Sequence, residues 1–205
     1  ITMDFIDNGY LGDIYYSKAQ YVRRHGNPGG WFGDKSRSGG GPVIDLGVHV
    51  IDLTRYLMGN PKPVAVSGCA FSKFADNQAK ADSEHSKFGE TKSGGTFDVE
   101  DLAMGFIRFD NGACLQIEFS WASNIEQEQR FFELRGSKAG AKWNSLDNML
   151  AIYGEEYGST VDYLPKIDNT KGIQPHEANL RHFVDVILNG TEPGLRAAGR
   201  GKYRQ

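Results

Sequence analysis

The stretch GGGPVIDLGVHVIDLTRYLMGNP, residues 39–61, decides the fold and carries the clearest helix signal in the chain. Pro42 suits the first position of a helix and Gly59, Asn60 and Pro61 form a stop signal, so the pattern predicts a helix from Pro42 to Met58. Four polar residues at spacings of four, three and four fall along one side of it: Asp45, His49, Asp52 and Tyr56. Because nearly all the other residues are apolar, we expect burial over most of the circumference. The polar side then faces either an internal hydrogen-bond network or a cleft.

A long glycine-rich segment leads into this helix. Seven glycines and Pro28 lie among the sixteen residues from Gly26 to Gly41, a composition that the interior of a helix or strand does not tolerate. Loops of this length are often functional. The three consecutive glycines at 39–41 are expected to leave backbone N–H groups and the positive helix end open to an anion or a polar ligand. Before the loop, the near-alternation of polar with β-branched and aromatic residues over 11–23 predicts a strand covered on one face.

The sequence after the helix predicts a succession of strands and one final helix. Residues 64–74 are strand-like, and the polar stretch from Asp76 to Gly95 is expected to form a lid-like loop. Two strand-like runs flank a turn signal at 110–112, which predicts a hairpin, and shorter strands are expected at 131–135, 149–153 and 159–164. An amphipathic helix is expected to start at Pro175 and to end before Gly190. Its apolar side chains are expected to face inward: Leu180, Phe183, Val184, Ile187 and Leu188.

This order of elements indicates an α+β fold, an antiparallel-rich mixed sheet with helices packed on one face. It is not the regular strand–helix alternation of a parallel sheet. Neither G-x-G-x-x-G nor G-x-x-x-x-G-K-[ST] occurs, although 26 glycines are present. We therefore do not expect this chain by itself to hold a dinucleotide pyrophosphate or a nucleoside triphosphate in the usual way. Its length of 205 residues fits one domain.

Composition and charge exclude several classes of protein. With a net charge of -3, the chain lacks the basic surface typical of nucleic-acid binding, and we interpret the basic tail at 196–204 as a solvated end. A mean hydropathy of -0.48 and the lack of a long apolar run argue against a membrane protein. The acidic start has no signal-peptide pattern, so a cytoplasmic protein is expected. Cys69 and Cys114 each lie in an apolar strand-like run and are expected to be buried thiols rather than a disulfide or a metal pair.

Asp45 and His49 are the residues best suited to chemistry. A histidine can accept and return a proton near neutral pH, and a carboxylate one helical turn away can orient it or bind a hydroxyl. The alternative is a core histidine that Asp45 holds in place, since pairs at this spacing are common on ordinary helices. A metal site with Asp45 and His49 as ligands lacks an evident third ligand. The spacing alone does not decide between the catalytic and the structural interpretation.

The run WFGDKSRSGGGPVIDLGVHVIDL, from Trp31 to Leu53, closely resembles the C-terminal domain of the Gfo/Idh/MocA oxidoreductases. Its most specific part is the D-x-x-x-H pair after the three glycines. The similarity continues over nearly the whole chain through shorter motifs: PKPV at 61–64, VEDLA at 99–103, NGA at 111–113, SWA at 120–122, and Glu177 with HFVD at 182–185. The resemblance implies a C-terminal sheet domain of the glyceraldehyde-3-phosphate-dehydrogenase-like type over residues 1–205. It also implies an N-terminal dinucleotide-binding domain that is absent from this chain.

The resemblance implies a site and a reaction as well. Asp45 and His49 would line the catalytic cleft, with His49 as the acid–base at the hydroxyl that becomes a carbonyl and Asp45 positioning it. Trp31 and Lys35 would lie near the nicotinamide or the substrate, and Arg23 would contact the substrate. For each of these three, loop packing or a solvated charge is the alternative. The cofactor would be NAD or NADP, bound mainly by the missing Rossmann domain.

Two features depart from the family pattern. Phe32 stands where members often have an arginine after the tryptophan, and the lysine of their E-K-P motif has no counterpart in this chain.

Two hypotheses remain. The first is the substrate-binding and oligomerisation domain of a sugar or polyol dehydrogenase, which forms a homodimer or homotetramer through the sheet face and is inactive by itself. The second is a non-catalytic carbohydrate-binding or dimerisation module derived from the family. The retained Asp45 and His49 argue against the second, because a purely structural descendant would have little need of such a charged pair.

Overall fold

The computed structural model of the chain describes residues 1–74, 96–166 and 175–191. The chain divides into two compact units, Ile1–Lys166 and Ile167–Gln205, and within the second only 175–191 is described. The lid-like loop expected at 76–95 and the basic tail expected at 196–204 lie outside the described residues. In the three described ranges, no helix is both long and apolar enough to cross a membrane.

The first unit is built on one mixed sheet of eight strands. The strands are β1 (Ile14–Val22), β2 (Pro63–Phe71), β3 (Leu102–Phe109), β4 (Cys114–Ser120), β5 (Gln129–Gly136), β6 (Gly140–Asn144), β7 (Met149–Glu156) and β8 (Ser159–Tyr163). Their order across the sheet is β2-β3-β4-β1-β5-β6-β7-β8. Among these neighbours β1 and β4 pair in parallel, and the other six pairs are antiparallel. The α+β prediction with an antiparallel-rich sheet is confirmed.

The described residues form four α-helices, of which three have ten residues or fewer. They are α1 (Thr2–Asp7), α2 (Lys35–Ser38), α3 (Val48–Leu57) and α4 (Pro175–Asn189), with a 3-10 turn at Gly30–Gly33 and a π-helical turn at Val43–Gly47. In the π turn the N–H of Val48 donates to the carbonyl of Val43, one residue further back than in an α-helix. The helix predicted over 42–58 is confirmed in position, but its first turn is wider than expected.

The hairpin predicted around 110–112 is also confirmed. Its strands β3 and β4 pair in antiparallel register, with Leu102 opposite Ser120. Gly112 has a φ of 85°, which favours glycine, and the side-chain oxygen of Asn111 accepts a hydrogen bond from the N–H of Ala113 at 3.1 Å. This hairpin brings residues 101 and 121 side by side beneath the glycine-rich loop, since the N–H of Trp121 donates to the carbonyl of Asp101 at 3.0 Å.

The π turn and α3 cover the middle of the sheet on one face, where they meet β1, β4 and β5. Leu46, Val50 and Leu57 are buried there, against inward-facing side chains of the strands: Ala19, Leu115, Phe119 and Leu134. Gly47 permits the close approach, because a Cβ at this position would lie 2.8 Å from the ring of Phe119. The apolar part of the helix therefore fixes Asp45 and His49 over the parallel pair β1 and β4.

The burial expected over most of this helix is wrong. Ile44 is 49% exposed and Val48 is 47% exposed, and Leu53 and Tyr56 are exposed as well. The sheet covers one side of the helix, and these side chains lie outside that cover. The pattern of apolar residues shows that they favour burial, but it does not specify which surface buries them.

The structure differs from the sequence predictions at other places. The glycine-rich loop contains the turn Gly30–Gly33 and α2, whereas no helical segment was expected there, and α1 and β6 were not predicted. Cys69 and Cys114 are free thiols, but Cys69 is exposed and Cys114 only partly buried. The burial expected for Cys69 is wrong because β2 is an edge strand with nearly every residue exposed.

The second unit contributes α4, whose predicted bounds are confirmed. The inward orientation expected for its apolar side chains is wrong, because all five are exposed by 50% to 73%: Leu180, Phe183, Val184, Ile187 and Leu188.

Candidate active site

The glycine-rich loop is fixed by the segment that precedes β3. The N–H of Asp98 donates to the carbonyl of Gly33 at 3.0 Å, and the carboxylate of Asp98 accepts a hydrogen bond from the N–H of Lys35 at 2.7 Å. Gly33 also lies against the ring of Phe97, where a Cβ would come within 2.8 Å. The loop therefore follows a defined path across residues 97–100 before it enters the helix.

Glu100 closes the start of that helix. Its Oε1 accepts hydrogen bonds from the N–H of Gly41 at 3.1 Å and from the N–H of Val43 at 3.4 Å. A carboxylate at this position also interacts favourably with the positive end of the helix. The open anion site expected at 39–41 is therefore wrong, since a side chain of the protein itself takes these N–H groups.

Asp45 lies in the π turn and is held by Trp121. The indole Nε1–H of Trp121 donates to Oδ2 of Asp45 at 2.7 Å, a short distance typical of a hydrogen bond to a charged acceptor. Trp121 is completely buried, and its ring meets Phe32 and Phe97 edge to face, both at 6.4 Å between centroids. Trp31 in turn stacks on Phe32 at 4.1 Å. A row of aromatic rings thus connects the exposed part of the loop with the carboxylate.

His49 lies one helical turn after Asp45 and is exposed. The alternative of a core histidine is wrong for this reason. Within the described ranges, no hydrogen bond joins Asp45 to His49, and the imidazole has no hydrogen-bond or ion-pair partner. The side chain is therefore accessible to a molecule that approaches the uncovered side of α3.

The three other residues that the resemblance singled out lie in two different environments. Trp31 is 36% exposed and Lys35 is exposed at the start of α2, so both side chains can reach a ligand. Arg23 is only 9% exposed, and its guanidinium donates to the Gly26 carbonyl at 3.3 Å and to the Tyr21 hydroxyl at 2.9 Å. Arg23 therefore holds the entrance of the loop, and its contact with substrate stays a prediction.

Among the described residues around this site, the exposed groups fit one end of a nicotinamide dinucleotide, and the start of the π turn does not suit the other end. A pyrophosphate is usually bound by free N–H groups at a helix start, but in this unit the start of the π turn is already occupied by the negative Glu100. The exposed ring of Trp31 and the exposed imidazole of His49 suit the nicotinamide end. In the part of the chain that the structure describes, no group of three or more His, Cys, Asp or Glu side chains is placed to hold a metal ion.

Sequence reasoning missed the two residues that organise this site. Glu100 and Trp121 belong to the runs VEDLA and SWA that carry the family resemblance, but neither had a role assigned. A buried tryptophan normally needs an acceptor for its indole N–H, which is a signal that could have drawn attention to Trp121. Its partner lies 76 positions away, so the local pattern could not identify it.

Comparisons with known proteins show which family the chain is similar to. A family model described as the GFO/IDH/MocA C-terminal domain matches residues 3–142. D-glucoside 3-dehydrogenase of Escherichia coli (strain K12) is 34% identical over 195 residues, which cover 92% of this chain and 53% of that protein. The chain thus spans about half the length of this relative.

Solved structures show the same fold. An oxidoreductase domain protein from Kribbella flavida matches with a TM-score of 0.74 at 20% identity, covering 94% of this chain and 55% of that one. Levoglucosan dehydrogenase in complex with NADH and L-sorbose matches with a TM-score of 0.73 at 21% identity, covering 92% of this chain and 53% of that one. At these identities the likeness establishes the fold of the chain.

Proposed function

The chain belongs to the Gfo/Idh/MocA family of oxidoreductases, and from that membership we propose that it is the substrate-binding domain of an NAD(P)-dependent dehydrogenase. The substrate is a sugar, a polyol or a related hydroxy compound. The single observation that carries the proposal is the exposed His49 one turn after an Asp45 that Trp121 holds in place. The named relatives are a glucoside dehydrogenase and a levoglucosan dehydrogenase, which supports a carbohydrate substrate.

His49 acts as the general base in the direction of oxidation. It takes the proton from the substrate hydroxyl as that carbon becomes a carbonyl, and it returns the proton in the reverse reaction. NAD(P)+, when bound, supplies the hydride acceptor. The accessibility of the imidazole supports this role, because a proton-transfer group must come within hydrogen-bond reach of the hydroxyl. Asp45 positions either His49 or a neighbouring hydroxyl of the substrate.

Trp31 and Lys35 border the same side of the site. The half-exposed ring of Trp31 offers a flat surface for the nicotinamide or for the apolar face of a sugar ring, and the ammonium of Lys35 offers donors to hydroxyl groups. The Phe32 ring beneath Trp31 supports that surface by stacking. Arg23 supports the site by holding the entrance of the glycine-rich loop in place, in addition to any direct contact with the substrate.

The catalytic protein is a homodimer or a homotetramer that pairs through the sheet face opposite α3. That face presents Phe106 and Tyr153, which are 44% and 43% exposed, among charged side chains of β1 and β5. Exposed aromatic side chains set among charged ones are typical of interfaces between proteins. The subunit mass in solution tests this point, and a monomer at micromolar concentration would contradict it.

The decisive experiment uses the complete protein that carries this domain, assayed by reduction of NAD+ and NADP+ with a panel of glucosides and inositols. His49→Ala is expected to lower kcat about 10²- to 10⁴-fold, the usual contribution of general base catalysis, with little change in cofactor affinity. His176→Ala, an exposed histidine on α4, is the matched control and should retain wild-type turnover. Unchanged turnover of the His49 variant would reject the assignment.

The same panel addresses the non-catalytic alternative. A complete protein that binds a sugar but reduces neither cofactor with any member of the panel would favour a carbohydrate-binding module. The present chain alone is expected to give no turnover and no tight binding of NAD(P)+, because Glu100 already occupies the N–H groups at the start of the helix. Tight binding of the cofactor to this chain would contradict that expectation.

A further inference from the structure

We propose that Trp121 is a positioning residue for catalysis, which acts by fixing the carboxylate of Asp45 in one orientation. The proposal rests on the proposed function, since it assigns Trp121 a part in the reaction of that same site. The link is the hydrogen bond of 2.7 Å from the indole Nε1–H to Oδ2 of Asp45. The other carboxylate oxygen, Oδ1, has no hydrogen-bond partner among the residues that the structure describes. Oδ1 is thus the acceptor that a substrate hydroxyl can use.

Trp121 itself has little freedom to move. Its side chain is completely buried, and its ring is in edge-to-face contact with Phe32 on the loop and with Phe97 before β3. Its backbone is fixed as well, since its N–H donates to the carbonyl of Asp101 at 3.0 Å. The Trp121 indole N–H is therefore fixed in position, and its hydrogen bond can hold the Asp45 carboxylate in one orientation. Only two side-chain torsions of Asp45 need to be restricted for this.

The backbone of Asp45 is restrained from the other side. Its N–H donates to the carbonyl of Gly41 at 3.1 Å, and Gly41 is in turn bonded to Glu100. With both its backbone and Oδ2 fixed, the carboxylate is preorganised before the substrate arrives. Catalytic groups gain rate when they are held in the productive geometry in advance.

The competing interpretation is that Trp121 is only a large core residue. Two substitutions separate the interpretations. Trp121→Phe retains an aromatic ring and removes the N–H donor, while Asp45→Ala removes the carboxylate that accepts the hydrogen bond. If Trp121 acts through Asp45, the Trp121 substitution lowers kcat much less when Asp45 has already been replaced. If Trp121 only fills space, its substitution lowers kcat by the same factor whether Asp45 is present or replaced.

The chain offers a matched control in Trp143. Its indole Nε1–H donates to Oδ1 of Asn148 at 3.1 Å, and its ring stacks on Phe132 at 5.9 Å, so it is also a packed tryptophan with a side-chain acceptor. It lies on β6, two strands away from β1 in the sheet. Trp143→Phe therefore removes an indole hydrogen bond to a neutral, exposed acceptor outside the site.

The kinetic test uses the complete protein and the best substrate of the panel above. Trp121→Phe is expected to lower kcat roughly tenfold to a hundredfold with a smaller change in KM, as expected for the loss of one hydrogen bond to a charged group. In the Asp45→Ala background the same change should alter kcat less than about threefold. Trp143→Phe should leave kcat at the wild-type value. An equal loss in both backgrounds, or no loss in either, overturns the proposal.

A spectroscopic test on the present chain does not depend on turnover. The indole N–H resonances of the three tryptophans are recorded by nitrogen–proton NMR and assigned with the Trp121→Phe and Trp143→Phe variants. Asp45→Ala should shift the Trp121 resonance and leave that of Trp143 in place. A Trp121 resonance that does not respond overturns the proposal. Absence of NAD(P)+ reduction by the complete protein with every member of the panel refutes the proposed function instead, whichever way the indole resonance behaves.

Discussion

Gly41→Ala tests how closely the helix start and Glu100 are packed. A Cβ on residue 41 would lie 2.0 Å from the backbone oxygen of Glu100 and 2.9 Å from its Cδ. This backbone oxygen lies in the segment that precedes β3, and moving it costs free energy. The two hydrogen bonds that Glu100 accepts from the N–H groups of Gly41 and Val43 are therefore strained or lost. Overpacking costs about 1–3 kcal/mol, and a hydrogen bond to a charged group is worth about 1.5–3 kcal/mol.

The expected loss in the free energy of unfolding is about 2–4 kcal/mol. It is below the sum of the separate costs because one of the bonds is already long, at 3.4 Å. At about 2–4 °C per kcal/mol for a chain of this size, the melting temperature should fall by roughly 4–16 °C. Urea titration followed by tryptophan fluorescence measures the loss, since all three tryptophans lie in the first unit. The midpoint should decrease without a change in the m value.

The neighbouring Gly40 provides the control. A Cβ there would meet the Cδ1 of Ile44 at 2.8 Å, which is the far end of a flexible and half-exposed side chain that can move aside. Gly40→Ala should therefore cost less than about 1 kcal/mol. If the two alanine variants are equally stable, the reasoning that Glu100 seals the helix start at Gly41 is refuted.

Three further results are expected. Asp101→Ala should lower the free energy of unfolding by about 2–4 kcal/mol in the same urea titration, because the buried carboxylate accepts hydrogen bonds from two backbone N–H groups; Asp101→Asn should lose less. The hydroxyl and N–H of Ser36 hold the pKa of Asp34 below its usual 3.8, so this carboxylate stabilises the folded loop above that pH and the contribution is lost as the pH falls through the folded-state pKa. A carbon NMR titration of Asp34 should move to a higher midpoint in Ser36→Ala, and identical midpoints would contradict the assignment. Cys69 should react with a thiol reagent faster than Cys114, and Cys69→Ser should remove the fast phase; equal rates would argue against the exposure of β2.

Local sequence patterns predicted the elements that depend on near neighbours. The helix at 42–58, the hairpin around Gly112 and the bounds of α4 all follow from hydrophobic periodicity combined with proline, asparagine and glycine signals. The six residues of α1 carry too little periodicity to identify a helix. β6 escaped prediction because its sequence, GAKWN, consists mostly of residue types that are depleted in strands. Burial was the weakest prediction. Apolar side chains such as Ile44 and Val48 favour burial, but the sheet covers only one side of their helix and leaves both exposed.

The sequence by itself determined that Asp45 and His49 share one side of a helix behind a glycine-rich loop, because both the spacing and the loop are properties of adjacent residues. Only the tertiary structure decided how that pair is held. Glu100 reaches the helix start across 59 positions of sequence, and Trp121 reaches Asp45 across 76. These contacts exist because β3 and β4 pair in the register that places Asp101 beside Trp121, and because Gly47 lets the helix settle on Phe119. Strand pairing and close packing thus convert an expected open anion site into a closed one, and leave His49 as the exposed group of the pair.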